Sequence, residues 1–326
     1  MLHLGDIDLD IPVIQAAISG YSDRPMRVLA RQFGAPMTFS GLMLDKSTAH
    51  TKMWAKPQFH LEEDEHPIGG QLAGTEPRMM AQAAKVLQEK GFDLIDLNFA
   101  CPAPKVLARR RGGHLLHEPD RAIEIFYRVR ETVKCPVTIK LRRSFYENDA
   151  QNEHFWRICE AAVKGQVNAL IVHGRAVEQR YRGQADWKVV EQVKQRFPRT
   201  IVIGSGDLFT AQNAVERLRN SKVDGVILAR GAIGNPWIFS QVRRMLNGDG
   251  QYFEPPLAEV GQVLLRHFEM VLESYPRPKA IPYFRKFCVG YCRRHPQRKK
   301  TLLALMAART ADQVRRVVKE NFLSEN

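Results

Sequence analysis

The chain has 326 residues, 44% hydrophobic and 26% charged, which excludes a disordered, collagenous or disulfide-stapled protein and suffices for a barrel of about 250 residues plus a small second domain. Five scattered cysteines (Cys101, Cys135, Cys159, Cys288, Cys292), an acidic start MLHLGDIDLDIP and no apolar run near the roughly 20 residues that span a bilayer point to a reducing, cytoplasmic setting with no membrane partner. The surplus of 49 Lys+Arg over 35 Asp+Glu, net +14, points to a polyanion, nucleic acid before membrane, with solvated helix faces as the plain alternative.

Short β-branched runs alternate with helical stretches, as in parallel βαβ units. In chain order the runs are IPVIQAAI from Ile11, PMTFSGL from Pro36, HPIGGQLAG from His66, FDLIDLNF from Phe92, CPVTIKLR from Cys135, ALIVHG from Ala169, TIVIGSG from Thr200 and VDGVILARG from Val223. Helices open at Glu76-Pro77, at Glu118-Pro119 and after Phe209-Thr210. Eight strand–helix units predict an α/β fold, a TIM (β/α)8 barrel. The rival, a doubly wound open sheet, lacks its G-x-G-x-x-G after the first strand.

Residues 1–247 are expected to form the barrel and 248–256 (GDGQYFEPP) a linker. Residues 257–326 are expected to form a small all-helical basic domain, from apolar residues at three and four spacing. From Pro255 onward there are 14 Lys+Arg against 6 Asp+Glu, so the charge concentrates here. Tyr283, Phe284, Phe287 and Tyr291 interleave with Arg285, Lys286, Arg293 and Arg294; Arg285 and Lys286 are the expected phosphate contacts, with the aromatics read as packing. Cys288 and Cys292 read as packing residues rather than metal ligands, His295 being a weak third candidate, and no metal is expected.

Active sites of TIM barrels lie at the C-terminal ends of the strands. Those ends carry Gln71, Asn98 and then Cys101, Lys140 and Arg142, His173 and Arg175, Ser205-Gly206-Asp207, and Arg230-Gly231. Each alone has a plain reading as a salt bridge, a satisfied hydrogen bond or a tight turn; together they form a coherent set. The loops GSGDL and ARGAIGNPW place glycines and a cation where such barrels bind phosphate. A phosphate-bearing flavin would suit the mouth, with Lys140 beside the negative side of its reduced ring and Gln71 at the ring edge. Cys101 lies on a proline-flanked loop beyond a strand, three residues after Asn98. Either it is a small buried hydrophobe, or, mostly protonated at neutral pH, it is a proton donor.

These motifs resemble the tRNA-dihydrouridine synthase family over nearly the whole chain. SGYSDRPMR (Ser19–Arg27) is similar to the family's segment under the flavin, GQLAGTEP holds its glutamine, Gln71, and LNFACPAPKV resembles its asparagine and cysteine loop. VTIKLR supplies Lys140, VHGRAVEQRYRGQADW supplies His173 and Arg175, and LARGAIGNPWIF resembles its phosphate loop. The resemblance implies an FMN enzyme that uses NADPH to reduce the C5–C6 bond of uridine in structured RNA, tRNA first among candidates. Hydride would pass from the flavin to C6, and Cys101 would protonate C5 from the other face. Asn98 would orient the uracil and Arg175 contact substrate. Ala17, Ile18, Ser19, Gln71, Lys140, His173, Ser205, Gly206, Asp207, Ala229, Arg230 and Gly231 would hold FMN. The target base must leave its stack, and the tail would bind the RNA; no protein partner is implied.

The family's Pro-Met-Ala, Gly-Cys-Pro and Asn-Gly-Asp are here Ala17-Ile18-Ser19, Ala100-Cys101-Pro102 and Ser205-Gly206-Asp207, and the glycine before Arg230 is Ala229, marks of a divergent branch. Three other readings stay open: an FMN barrel acting on a small pyrimidine, a dihydrouridine synthase acting on ribosomal RNA, and an RNA-binding module without catalysis.

Overall fold

The structure, a computed structural model, describes residues 1–56, 59–148, 152–248 and 252–324. Its strands are β1 (Leu2–Leu4), β2 (Ile7–Leu9), β3 (Val13–Gln15), β4 (Thr38–Phe39), β5 (Met43–Leu44), β6 (Ile68–Ala73), β7 (Leu94–Phe99), β8 (Val137–Arg142), β9 (Ala169–His173), β10 (Val202–Ser205) and β11 (Gly225–Leu228). Eight parallel strands close a ring, β3-β4-β6-β7-β8-β9-β10-β11 and back to β3. All eight runs read from the sequence are these strands, and the fold is a TIM-type barrel. The expected helix starts hold as well: Pro77–Glu89, Pro119–Thr132 and Ala211–Asn220, the last capped by Thr210 Oγ1 on the amide of Asn213.

The sequence reading missed the β1/β2 hairpin and β5. The hairpin's Leu2, Leu4, Ile7 and Leu9 join Ile14, Phe39, Leu94, Ile171, Ile203 and Ile227 in one apolar cluster, which plugs the N-terminal end of the ring. A second, larger cluster lies between the strands and the surrounding helices and holds Val13, Ile95, Leu97, Ile139, Leu141, Val172 and Val226. Strand side chains alternate between these two layers. On β7, Leu94 faces the ring interior, and Asp96 and Asn98 two and four residues on share its face. The interior is therefore apolar at the base and polar at the mouth.

Beyond the helix Trp237–Asn247, closed by Gly248 in the left-handed region (φ 76°), the expected linker includes 249–251, which lie outside the described residues. The tail is helical: Leu257–Ser274, Arg277–Tyr291, Arg298–Ala307 and Ala311–Val318. It shares the larger apolar cluster with the barrel. Tyr21 of the loop after β3 meets Phe287 edge-on at 5.5 Å, and Trp237 meets Tyr291 at 6.4 Å. Gly290 lies so close to the barrel that a Cβ there would sit 1.9 Å from the carbonyl oxygen of Ile233. Cys288 and Cys292 are buried in this packing.

Candidate active site

The polar end of the ring interior is assembled by strand register. Gln71 on β6 pairs with Asp96 on β7, and Asp96 with Thr138 on β8. Asn98 pairs with Lys140, Arg142 with His173, and His173 with Ser205. These residues and the loops after β3, β7, β10 and β11 enclose one cleft at the mouth of the ring. Ala17, Ile18, Ser19, Gln71, Asn98, Cys101, Lys140, His173, Ser205, Gly206, Asp207, Ala229 and Arg230 all line it. The loop after β3 is braced from behind, because Ser22 Oγ accepts from the amide of Ile18 at 2.8 Å.

The cleft is rich in polar groups and cations whose bonding within the protein is incomplete. Lys140 Nζ makes one long bond, to Ser205 Oγ at 3.3 Å. Burial pushes its ammonium down to about 8; Asp96 opposes that shift and the charge of Arg142 adds to it. His173 is buried, and its Nδ1 has no partner among the described residues. Burial, then the charges of Arg142, Lys140, Arg175 and Arg230, hold its imidazole well below its usual range, so it is neutral. The Arg230 guanidinium lies 4.8 Å over the rings of both Tyr181 and Phe209, and its Nη2 stands 3.7 Å from Asp207 Oδ1, an ion pair too long for a hydrogen bond.

Cys101 is half-buried at the cleft wall, where Asn98 Oδ1 accepts from its amide at 2.8 Å and from that of Ala100 at 3.1 Å. Burial raises its thiol above the ordinary value, against a backbone hydrogen bond from Ala103 and the charge of Arg142. It is therefore a neutral S–H at physiological pH, able to give a proton.

Two residues of this machinery escaped the sequence reading. Arg142, seen there only as a strand end, is 2% exposed. Its Nε donates to Ala100 O at 2.9 Å, and its Nη1 to Ala176 O and Arg180 O, each at 2.8 Å, so it pins the Cys101 loop. Asp96 is fully buried; burial raises its carboxyl, while bonds from Thr138 Oγ1 and Gln71 Nε2 lower it. The signal in both cases is spacing by two: Arg142 follows Lys140, and Asp96 precedes Asn98, on the same strand face.

Four expected site residues lie elsewhere. Arg175 does not line the cleft: its Nη2 holds both Asp207 oxygens, at 2.7 and 2.8 Å, and Gly183 O at 2.6 Å, tying two mouth loops together. Gly231 is buried behind the cleft, where a Cβ would meet Leu208 O at 2.3 Å; loop packing accounts for this glycine without an anion. Arg285 donates to Ala308 O at 2.7 Å inside the tail. Lys286 donates to Gly20 O and lies over the rings of Tyr283, Tyr21 and Phe287, joining tail to barrel. Both cations of that expected RNA contact are engaged within the protein, because their helix face is the one that docks.

Residues 14–325 match the model of the dihydrouridine synthase family, Dus. Among similar proteins are tRNA-dihydrouridine synthase B of Xanthomonas campestris, 33% identical over 91% of this chain and 88% of its own length, and that of Pasteurella multocida, 30% identical over 89% and 86%. Solved structures of like fold include histamine dehydrogenase from a Rhizobium species (TM-score 0.58, 15% identity, 82% of this chain and 50% of that one) and morphinone reductase (TM-score 0.54, 17% identity, 78% and 90%). The chain belongs to the dihydrouridine synthase family.

Proposed function

We propose that this chain binds FMN in the barrel mouth and uses NADPH to reduce the C5–C6 bond of specific uridines in RNA, with tRNA as the substrate, to dihydrouridine. The observation that carries the reading is the convergence of unspent polar groups, most of them donors, with a protonated thiol. Lys140, the unpartnered Nδ1 of His173 and the free N–H groups of Gln71 and Asn98 all face one cleft, and Cys101 stands at its wall. That set fits a flat heterocycle with acceptor atoms along an edge. The loops Ser205–Asp207 and Ala229–Gly231 with Arg230 suit its phosphate, and the loop Ala17–Ser19 closes the side toward the tail. When bound, the flavin supplies hydride to uracil C6.

The chain's own residues do the rest. Asn98 fixes the Cys101 loop from one side and Arg142 from the other, so the S–H is held where it can protonate C5. Lys140 places positive charge where the ring becomes electron-rich. Arg175 acts indirectly, by holding Asp207 in place. The target base must be extruded from the folded RNA to reach a cleft at the barrel's end.

Residues 1–247 are proposed as the catalytic domain and 257–326 as the RNA-binding domain, with residues 325–326 outside those described. Among the exposed cations that have no acidic partner within the described residues are Lys105 and Arg109 beside the Cys101 loop, and Arg298, Lys299, Lys300, Arg309, Arg316 and Lys319 in the tail. Arg293 reaches Phe209 O at 3.5 Å, so the tail borders the mouth. No described helix is long and apolar enough to cross a membrane; the five free thiols fit the cytoplasm, the proposed location.

Half-reactions test the reading. Cys101→Ala should leave reduction of bound FMN by NADPH intact and slow dihydrouridine formation by roughly 10²- to 10⁴-fold, the contribution of a positioned acid. Equal slowing of both half-reactions, or none, contradicts the assignment.

A further inference from the structure

Asp96 lies beneath the cleft floor, fully buried. Its two oxygens accept from Thr138 Oγ1 and from Gln71 Nε2, each at 2.7 Å. Gln71 Oε1 then accepts from Asn98 Nδ2 at 2.8 Å, and Asn98 Oδ1 accepts from the amides of Ala100 and Cys101. Carboxylate, two side-chain amides and two backbone amides form one relay in which every bond has the same sense.

A primary amide is almost symmetric in shape, so packing does not choose which end faces which neighbour; hydrogen-bond partners do. A threonine hydroxyl serves as donor or acceptor and imposes no choice. A carboxylate only accepts, and the backbone amides of Ala100 and Cys101 only donate. The two ends of the relay therefore demand an N–H from Gln71 and a carbonyl from Asn98, and the bond between those two residues satisfies both demands.

We infer that Asp96 is a positioning residue that sets the hydrogen-bond polarity of the cleft floor, turning Gln71 so that it and Asn98 each present an N–H to the ligand and neither presents a carbonyl. Each NH₂ group has a second hydrogen with no partner among the described residues, and both residues line the cleft. With the Lys140 ammonium beside them, this stretch of the floor, Gln71, Asn98 and Lys140, offers donors only. It selects a heterocycle edge made of carbonyl oxygens or unprotonated ring nitrogens and leaves an N–H edge unpaired, a discrimination by mismatch as much as by attraction. Reversing Gln71 would set its amide nitrogen against that of Asn98 and release the carbonyl that now orders the Cys101 loop from below.

Asp96→Asn and Asp96→Leu both remove the charge while keeping four side-chain heavy atoms in the same branched order, and only asparagine keeps an acceptor for Gln71, its own NH₂ turning to Thr138 Oγ1. Two readouts apply: FMN affinity by quenching of flavin fluorescence, which rests on the proposed function, and hydrogen exchange of the Ala100 and Cys101 amides in flavin-free protein, which does not. Asparagine should keep both within about threefold of the parent. Leucine should weaken FMN and speed exchange at those two amides by about tenfold each, the worth of one buried hydrogen bond. Asparagine as damaging as leucine, or leucine without effect, overturns the inference. If the leucine variant does not fold, Gln71→Met decides, since it removes Asn98's acceptor: exchange at Ala100 and Cys101 should again rise about tenfold, and unchanged exchange overturns the inference. A parent protein that takes up no FMN contradicts the flavin reading alone, because the exchange arm still reports on Asp96.

Discussion

Burial lowers the Lys140 ammonium to about 8, well under the roughly 10.4 of an exposed lysine. Between those values the unfolded chain holds more protons than the folded one, so stability rises with pH there, and below about 8 the full cost of the buried charge is present. Lys140→Met should therefore raise the melting temperature of flavin-free protein at pH 7 and flatten its rise between pH 8 and 10, while weakening FMN binding. Thermal scans at several pH values check this, and a lower melting temperature at pH 7 would contradict it. Asn98, Lys140 and His173 were legible because each ends a strand run, and Cys101 because it follows one on a short loop, all in motifs of specific residues. Asp96 and Arg142 share those strands, but their partners are fixed only by register between strands, which no single segment displays. Arg285 and Lys286 misled for the converse reason: a basic residue on a helix looks alike whether its face meets solvent or a barrel loop.

The eight strands were legible because parallel strands covered on both faces become apolar runs, and within each the alternation separates the two layers. The β1/β2 hairpin was not, since its six residues, Leu-His-Leu and Ile-Asp-Leu, are too short for periodicity to distinguish from loop. The glycine loops after β10 and β11 were found, but part of their cause lies in contact between the loops. Gly231→Ala should cost roughly 1–3 kcal/mol, because its Cβ would meet backbone at Leu208 and Phe209 rather than a side chain able to turn away. Denaturant unfolding measures this, with weaker FMN binding expected from displacement of Arg230. An alanine variant of unchanged stability and affinity would show that the loops yield without cost.

Across the whole molecule, barrel and tail share one apolar layer, and the charge excess of the tail lies on faces turned away from it. Glutamine at Arg298, Lys299 and Lys300 should lower RNA affinity and shrink the log–log salt slope by roughly 0.7–0.9 for each phosphate left without its cation, with FMN content unchanged. Glutamine at Arg285 and Lys286 should instead lower the melting temperature. Filter binding over a salt series separates the two sets, and an unchanged slope in the first would move the RNA path to Lys105 and Arg109. The central claim, uridine reduction in tRNA by the flavin-loaded protein, is tested most directly by nucleoside mass spectrometry. Dihydrouridine-free tRNA is incubated with NADPH and either the parent protein or Cys101→Ala. A two-hydrogen mass gain at defined uridines is expected with the parent and almost none with the variant. A parent whose flavin NADPH reduces but whose tRNA gains no dihydrouridine would contradict it.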